Sequence, residues 1–218
     1  MTKNALIIFG KFPREGFVKT RLASATGHTA ATEFFRMCIE NIFDVADTVR
    51  PYMDPVFCFA EAEDEAAVVQ WIGSRLPLIP QIKGTLMERN REAFRNMFAQ
   101  GYERALIIAT DIPDISQDVL LAALRELDTT DIVIGPDQLD GYYLLGMNDF
   151  HSQLFAVSYT PSTPLLPQII AQANTLGLQV KTLPILYNIN TIDDLKEWHT
   201  ANPDSTNPVR AHSIHLVV

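Results

Sequence analysis

The chain has 218 residues, with 17 Lys and Arg against 26 Asp and Glu and a formal net charge of -9. Hydrophobic residues make up 47% and charged residues 20%, which is enough to bury a substantial core and too apolar for a disordered chain. The pI near 4.9 excludes general nucleic-acid binding, which needs a broad basic face, and leaves room for a small anionic ligand in one local basic pocket.

Strand-like and helix-like segments alternate along the chain. Ala5–Phe9 (ALIIF) reads as a buried strand. From about Thr29 to Asp47, apolar side chains recur at helical spacing, among them Phe34, Cys38, Ile42 and Val45. Pro55–Ala60 (PVFCFA) is a second strand, Asp64–Arg75 and Leu86–Gln100 are helices, and Ala105–Thr110 (ALIIAT) is a third strand of the same character as the first. Ser116 is placed to cap a helix carrying Leu120, Leu124 and Leu127. Asp131–Pro136 (DIVIGP) and Tyr142–Met147 (YYLLGM) are further strands. Pro164 opens another helix, Gln179–Pro184 is a late strand, and Thr191 caps a final helix at Ile192–Trp198. The tail from about Asn202 is rich in Pro, Asn, Thr and Ser, and its last residues, IHLVV, are a candidate edge strand.

Continuous apolar strands separated by helices predict an α/β fold, a mostly parallel sheet with helices on both faces. The strands DIVIGP and YYLLGM are too close for a helical crossover, so one of them runs antiparallel and the sheet is mixed. No repeat or linker divides the chain, which predicts one domain over residues 1–218. Cys38 and Cys58 lie in apolar surroundings outside any CxxC pair, which predicts buried thiols rather than a zinc site or a disulfide. The N-terminus lacks the apolar core of a signal peptide. No run approaches the ~18–20 apolar residues of a membrane span. The expectation is a cytoplasmic protein with no membrane span.

The segment FGKFPREGFVKTRLA, Phe9–Ala23, places Lys11, Arg14, Lys19 and Arg21 just after the first strand. Ligands of open α/β sheets bind beyond the strands' carboxyl ends. If this segment is extended, Lys19 and Arg21 project to one side, where a fork and a point charge suit phosphate oxygens. Gly10 and Gly16 permit close backbone approach; the alternative is a solvated basic loop. Dinucleotide and P-loop fingerprints are absent. In ATDIPDIS, Asp111 follows an apolar strand directly, where a carboxylate can hold Mg²⁺ or Mn²⁺ while substrate phosphates complete the shell. Asp114 follows across a proline and either contacts a ligand or caps a turn. In GPDQLDGYYLLGM, Gly135 and Gly141 bracket a loop with Asp137 and Asp140, and Tyr142 and Tyr143 alternate to opposite faces, one inward and one available to a ligand. Ser158–Leu166 is crowded with hydroxyls and prolines, as an acceptor-contacting loop or simply a helix entrance. Asn188 and Asn190 end the late strand before the Thr191 cap.

In this order these motifs resemble an uncharacterised bacterial family assigned to GT-A-type glycosyltransferases and related in fold to the guanylyltransferases of molybdenum-cofactor and deazaflavin-cofactor synthesis. The resemblance spans roughly Ala5 to Trp198. It implies a nucleotide-diphospho-sugar transferase-like three-layer α/β/α sandwich. It also implies a nucleotide-diphosphate sugar or nucleoside triphosphate as ligand, an unknown small-molecule acceptor, and a weak, nucleotide-dependent Mg²⁺ or Mn²⁺. Position by position, Lys11, Gly16, Lys19, Arg21 and Arg89 fall on nucleotide and phosphate contacts, and Asp111 on the strand-end metal carboxylate with Asn190 beside it. Asp114, Gly141, Tyr142 and Tyr143 fall on the sugar or acceptor side, and Asp140 is the candidate for acceptor activation. The implied activity is glycosyl transfer; nucleotidyl transfer, or nucleotide binding without catalysis, are the alternatives. Several acidic positions of the family are neutral here. Thr85 stands before the helix at Leu86, Leu139 precedes Asp140, where the family has an aspartate and two glycines before the tyrosines, and the late aspartates are Asn188 and Asn190. Fewer carboxylates mean a weaker divalent site.

Overall fold

The computed structural model describes residues 3–60, 65–158, 163–203 and 205–217. Its centre is a seven-stranded sheet. In chain order the strands are β1 (Asn4–Gly10), β2 (Asp54–Phe59), β3 (Leu78–Pro80), β4 (Arg104–Ala109), β5 (Ile132–Pro136), β6 (Tyr142–Met147) and β7 (Val180–Thr182), and across the sheet they lie in the order β3-β2-β1-β4-β6-β5-β7. Every pairing is parallel except those of β6, which runs antiparallel to both β4 and β5. The mixed sheet expected from the short DIVIGP–YYLLGM connection is therefore the observed one. β1 and β4 lie side by side at the centre, with Ile7 opposite Ile107 and Ile8 opposite Ile108, and their buried side chains point to both faces. That two-sided burial is why neither strand shows polar alternation.

Helices cover both faces. On one, α2 (His28–Val49), α3 (Glu65–Ile72) and α5 (Gln117–Glu126) pack Phe35, Ile39, Ile42, Val68 and Leu120 onto Leu6, Ile8, Leu106 and Ile108. On the other, α4 (Leu86–Ala99) and α6 (Leu165–Thr175) pack Met87, Phe94, Met97 and Ile169 onto Ala5, Ile7, Ile107 and Leu145. α2 has a second apolar side. Phe34 and Cys38 pack against α1 (Thr20–Thr26), α7 (Ile192–Ala201) and α8 (Pro208–Ser213) through Leu22, Leu195, Trp198 and Val209. This outer cluster fixes α1 and the start of α7 beside the carboxyl ends of β1 and β4.

The structure corrects three expectations. The segment at Lys19–Arg21 is not extended: α1 begins there, too short to show a helical period. Among the described residues the tail forms no edge strand. Ile214–Leu216 is a 3₁₀ turn, because Asn207 caps α8 through the Val209 N–H and Pro208 fills its first turn. The helix capped by Thr191 is therefore not the final one. The strand β3 was also not anticipated, since three residues carry no period. Asp64, and the middle of the Ser158–Leu166 loop at 159–162, lie outside the described residues.

Candidate active site

The carboxyl ends of β1 and β4 and the β5–β6 connection enclose a cleft of about 720 Å³, within the size range of small-molecule sites. Lys11, Lys19, Arg21, Arg89, Asp111, Asp140, Gly141, Tyr142, Tyr143 and Asn190 all line it, so most of the residues singled out from sequence converge there. Gly16 and Asp114 do not. Gly16 has φ 80° and open space around it, so its role is the turn that a side chain would strain. Asp114 binds the tail: its carboxylate accepts from Trp198 Nε1 and from Asn207 Nδ2. Burial outweighs those two donors and raises its pKa above the ordinary Asp value.

Lys19 is the least expected feature. It is the N-cap residue of α1 in the left-handed conformation, φ 48° and ψ 38°, with no side-chain cap. Its side chain is 4% exposed and its ammonium lies 2.9 Å from Asp111 Oδ1. The Ile189 carbonyl and Asn190 Oδ1 also accept from it, and the Phe35 ring centroid is 5.7 Å away. Lys19 thus ties β4, α1 and the β7–α7 connection together. Arg21, in the first turn of α1, is exposed. The two basic residues are therefore not an equivalent pair.

The polar chain continues through the asparagines. Asn190 Nδ2 donates to Asn188 Oδ1 at 2.9 Å, and Asn188 Nδ2 donates to Asp137 Oδ2 at 3.0 Å. Asp137 is buried, and its Oδ1 accepts from the backbone N–H groups of Leu139 and Gly141. An amide can accept from one neighbour and donate to the next, which an ionised carboxylate cannot. Carboxylates at 188 and 190 would set negative groups side by side from Asp137 to Asp111 with Lys19 at one end. The neutral residues are what this hydrogen-bond direction requires. Thr85 likewise has a local task, a capping box with Glu88 at the start of α4.

Tyr143 points inward and is buried, its hydroxyl donating to the Pro184 carbonyl. Its ring lies over Gly135, where an added Cβ would approach within 2.3 Å. Tyr142, on the other side, faces the cleft and accepts from Asn90 Nδ2 at 2.6 Å. Asp140 is exposed at the rim with φ 56°, and its carbonyl accepts from the Leu165 and Leu166 N–H groups that open α6. Asn90 and Gln81 also line the cleft and were not anticipated from sequence; Asn90 sits one position from the retained Arg89 on a helix, where polarity alone reads as solvent exposure.

The oxygens gathered at Lys19 Nζ, a carboxylate, a carbonyl and an amide, are of the kind Mg²⁺ and Mn²⁺ take. In the structure the Lys19 ammonium takes them. Among the described residues no group of three or more His, Cys, Asp and Glu is arranged to hold a metal ion. The donor set therefore fits a divalent cation in kind, with Asp111 as its one carboxylate, and fits it only when Lys19 turns elsewhere.

A family model described as an uncharacterized protein conserved in bacteria, DUF2064, matches residues 46–159, more than half of the chain. The chain belongs to the DUF2064 family. No curated protein matches it. A structure from Desulfovibrio desulfuricans G20, described provisionally as a nucleotide-diphospho-sugar transferase, is 25% identical; the match covers 100% of this chain and 97% of that one with a TM-score of 0.92. The 4-diphosphocytidyl-2C-methyl-D-erythritol synthase of Anaerococcus prevotii DSM 20548 is 12% identical, covering 93% and 99% at a TM-score of 0.62. A Mycobacterium tuberculosis H37Rv protein solved in complex with manganese is 12% identical, covering 90% and 98% at 0.56. This DUF2064 chain thus has the nucleotide-diphospho-sugar transferase-like fold, and the family match contains Asp111 but neither Lys19 nor Asn190. Among the described residues no helix is long and apolar enough to cross a membrane.

Proposed function

We propose that this DUF2064 protein transfers a sugar from a nucleotide-diphosphate donor to a small-molecule acceptor. The carrying observation is one cleft at the ends of β1 and β4 that holds basic side chains and Asp111 together, in a fold shared at a TM-score of 0.92 with the Desulfovibrio structure. The donor's diphosphate meets Lys11, Lys19 and Arg21. Lys19 turns from Asp111 to phosphate oxygens, exchanging one charge-assisted contact for another. Asp111 and Asn190 would then hold Mg²⁺ or Mn²⁺, as the manganese complex of the M. tuberculosis relative suggests by fold analogy. When bound, such an ion neutralises charge on the departing diphosphate. Asp140 takes the proton of the acceptor hydroxyl. The acceptor oxygen then bonds to the sugar's anomeric carbon, and the carbon–oxygen bond to the diphosphate breaks with its electron pair leaving on the nucleoside diphosphate.

The synthase of A. prevotii and a cytidylyltransferase of the same fold favour a second reading, nucleotidyl transfer from a nucleoside triphosphate in the same cleft. Product analysis separates the two. The protein is incubated with nucleotide sugars and nucleoside triphosphates, Mn²⁺ and a small-molecule extract as acceptor source. Release of nucleoside diphosphate supports glycosyl transfer, and release of pyrophosphate supports the second reading. Nucleotide binding with neither product refutes both and leaves a binding protein.

A further inference from the structure

One wall of the cleft carries two buried polar atoms with no hydrogen-bond partner among the described residues, Arg89 Nε and Asn90 Oδ1. Both residues lie near the start of α4 and line the cleft. Asn90 is 1% exposed. Its Nδ2 donates to Tyr142 Oη at 2.6 Å, which fixes the amide and leaves its carbonyl end open. Arg89 is held as firmly. Its Nη1 donates to Gln81 Oε1 at 2.8 Å, and Gln81 Nε2 donates to the Cys58 and Gly10 carbonyls at the ends of β2 and β1. The guanidinium stands 5.9 Å from the Phe9 ring centroid, with Nε–H unclaimed.

Buried polar groups without partners are few in native proteins, and two on residues that line one cleft call for an explanation. One group that served both atoms would donate to a carbonyl and accept from an N–H. A phosphate of a nucleotide offers only acceptors, so it leaves Asn90 Oδ1 unpaired. An uncharged ring offers both: a sugar through neighbouring hydroxyls, a base through adjacent N–H and carbonyl or ring-nitrogen groups. The phosphate-compatible charges, Lys19 and Arg21, belong to the segment after β1 and the start of α1, whereas Arg89 and Asn90 belong to α4 on the other face of the sheet.

We propose that Arg89 and Asn90 form a subsite for the uncharged ring of the ligand, a base or a sugar presenting a neighbouring donor and acceptor, rather than for its phosphates. This rests on the cleft being a nucleotide site, and it replaces the phosphate contact that the family resemblance implies for Arg89. A site built to pair both groups discriminates against ligands that lack either one.

The test is calorimetric, on the full chain, with pyrophosphate, the diphosphates of uridine, cytidine and guanosine, and glucose 1-phosphate as probes. The variants are Asn90→Leu, which keeps volume and removes the open carbonyl, and Arg89→Met, which keeps the aliphatic stem and serves if the first variant fails to fold. The expected result is a loss of at least tenfold for ring-bearing probes that bind the parent, with pyrophosphate affinity unchanged within twofold. Loss confined to the nucleoside diphosphates assigns the subsite to the nucleoside, and loss confined to glucose 1-phosphate assigns it to the sugar. Equal loss for pyrophosphate and the ring-bearing probes makes Arg89 a phosphate ligand and overturns the inference, as does no loss for any probe. A parent that binds none of the probes overturns the nucleotide reading of the cleft, and the subsite with it.

Discussion

Replacing Lys19 by Met tests whether its amine is a structural tie or a free phosphate ligand. In the structure the Lys19 side chain is 4% exposed and its ammonium is bonded to Asp111, Ile189 and Asn190. Removing one partner of a buried ion pair costs about 3–5 kcal/mol. Asp111 is 32% exposed, so water recovers part of that loss, and a net cost of about 2–3 kcal/mol remains once the orphaned carbonyl and amide are included. For a chain of this size each kcal/mol moves the midpoint by about 2–4 °C, so Lys19→Met is expected to melt roughly 4–12 °C below the parent by circular dichroism. Lys19→Gly recovers about 1 kcal/mol of this, because glycine adopts φ 48° without the steric cost a side chain carries. Arg21→Met, on the exposed side of α1, stays within about 0.5 kcal/mol of the parent. If Lys19→Met melts with the parent, the ammonium is not bound to Asp111 in solution, and Lys19 is the solvent-facing phosphate ligand that an extended segment would make it.

Three further outcomes follow from the same geometry. His199 Nδ1 accepts from Arg210 Nη1 and its Nε2 faces Ser213 Oγ; burial and the Arg210 charge hold its pKa below the ordinary 6.5. The folded state therefore resists protonation, and stability present above that pH is lost as pH falls through the depressed value; melts between pH 7.5 and 5 should show this in the parent and much less in His199→Gln. Gly135→Ala drives a Cβ into the Tyr143 ring and should cost about 1–3 kcal/mol in urea unfolding, and a neutral result would place Tyr143 elsewhere. Hydrogen exchange should find the amides of Ile7 and Ile108 among the slowest, since β1 and β4 are paired on both sides; rapid exchange there contradicts the sheet order.

The sheet was legible because its central strands are continuous apolar runs, and a run such as ALIIAT has few other ways to be buried. The antiparallel β6 followed from arithmetic, five residues between Pro136 and Tyr142 being too few for a crossover. What escaped were short elements fixed by tertiary contact. α1 is seven residues long, and its Leu22 finds a partner only because α2 has a second apolar side. The cleft was legible as a set of residues but not as a set of contacts. Lys19 reads in sequence as one of four exposed cations on a loop, and nothing local says that a carboxylate ninety residues away and an asparagine still farther on will surround it. The asparagines read as losses of charge, and only the direction of their hydrogen bonds shows them as connectors between Asp137 and Lys19.

Two non-glycine residues among those described have positive φ, Lys19 and Asp140, and they stand in different segments lining the same cleft. Such conformations persist only where the surroundings over-determine them. At Lys19 the determinant is the oxygen cage: the side chain reaches Asp111 from the residue where the chain turns into α1. At Asp140 it is α6, whose first N–H groups bind the Asp140 carbonyl, while Asp137 holds the same loop through Leu139 and Gly141. In both places the strained residue is bonded to a neighbouring segment, through the Lys19 side chain to Asp111 just after β4 in one case and through the Asp140 carbonyl to a helix N-terminus in the other, so the two segments are set before any ligand arrives. The side chains differ in what they can then do. Asp140 is exposed and its carboxylate is available at once. Lys19 is available only after it leaves Asp111, and a group that draws it away must offer negative charge of comparable density, which the phosphates of a nucleotide do and a neutral acceptor does not. The order of events in the proposed reaction follows from that difference: the nucleotide enters first, because its phosphates open the Lys19–Asp111 pair, and Asp140 waits at the rim for an acceptor.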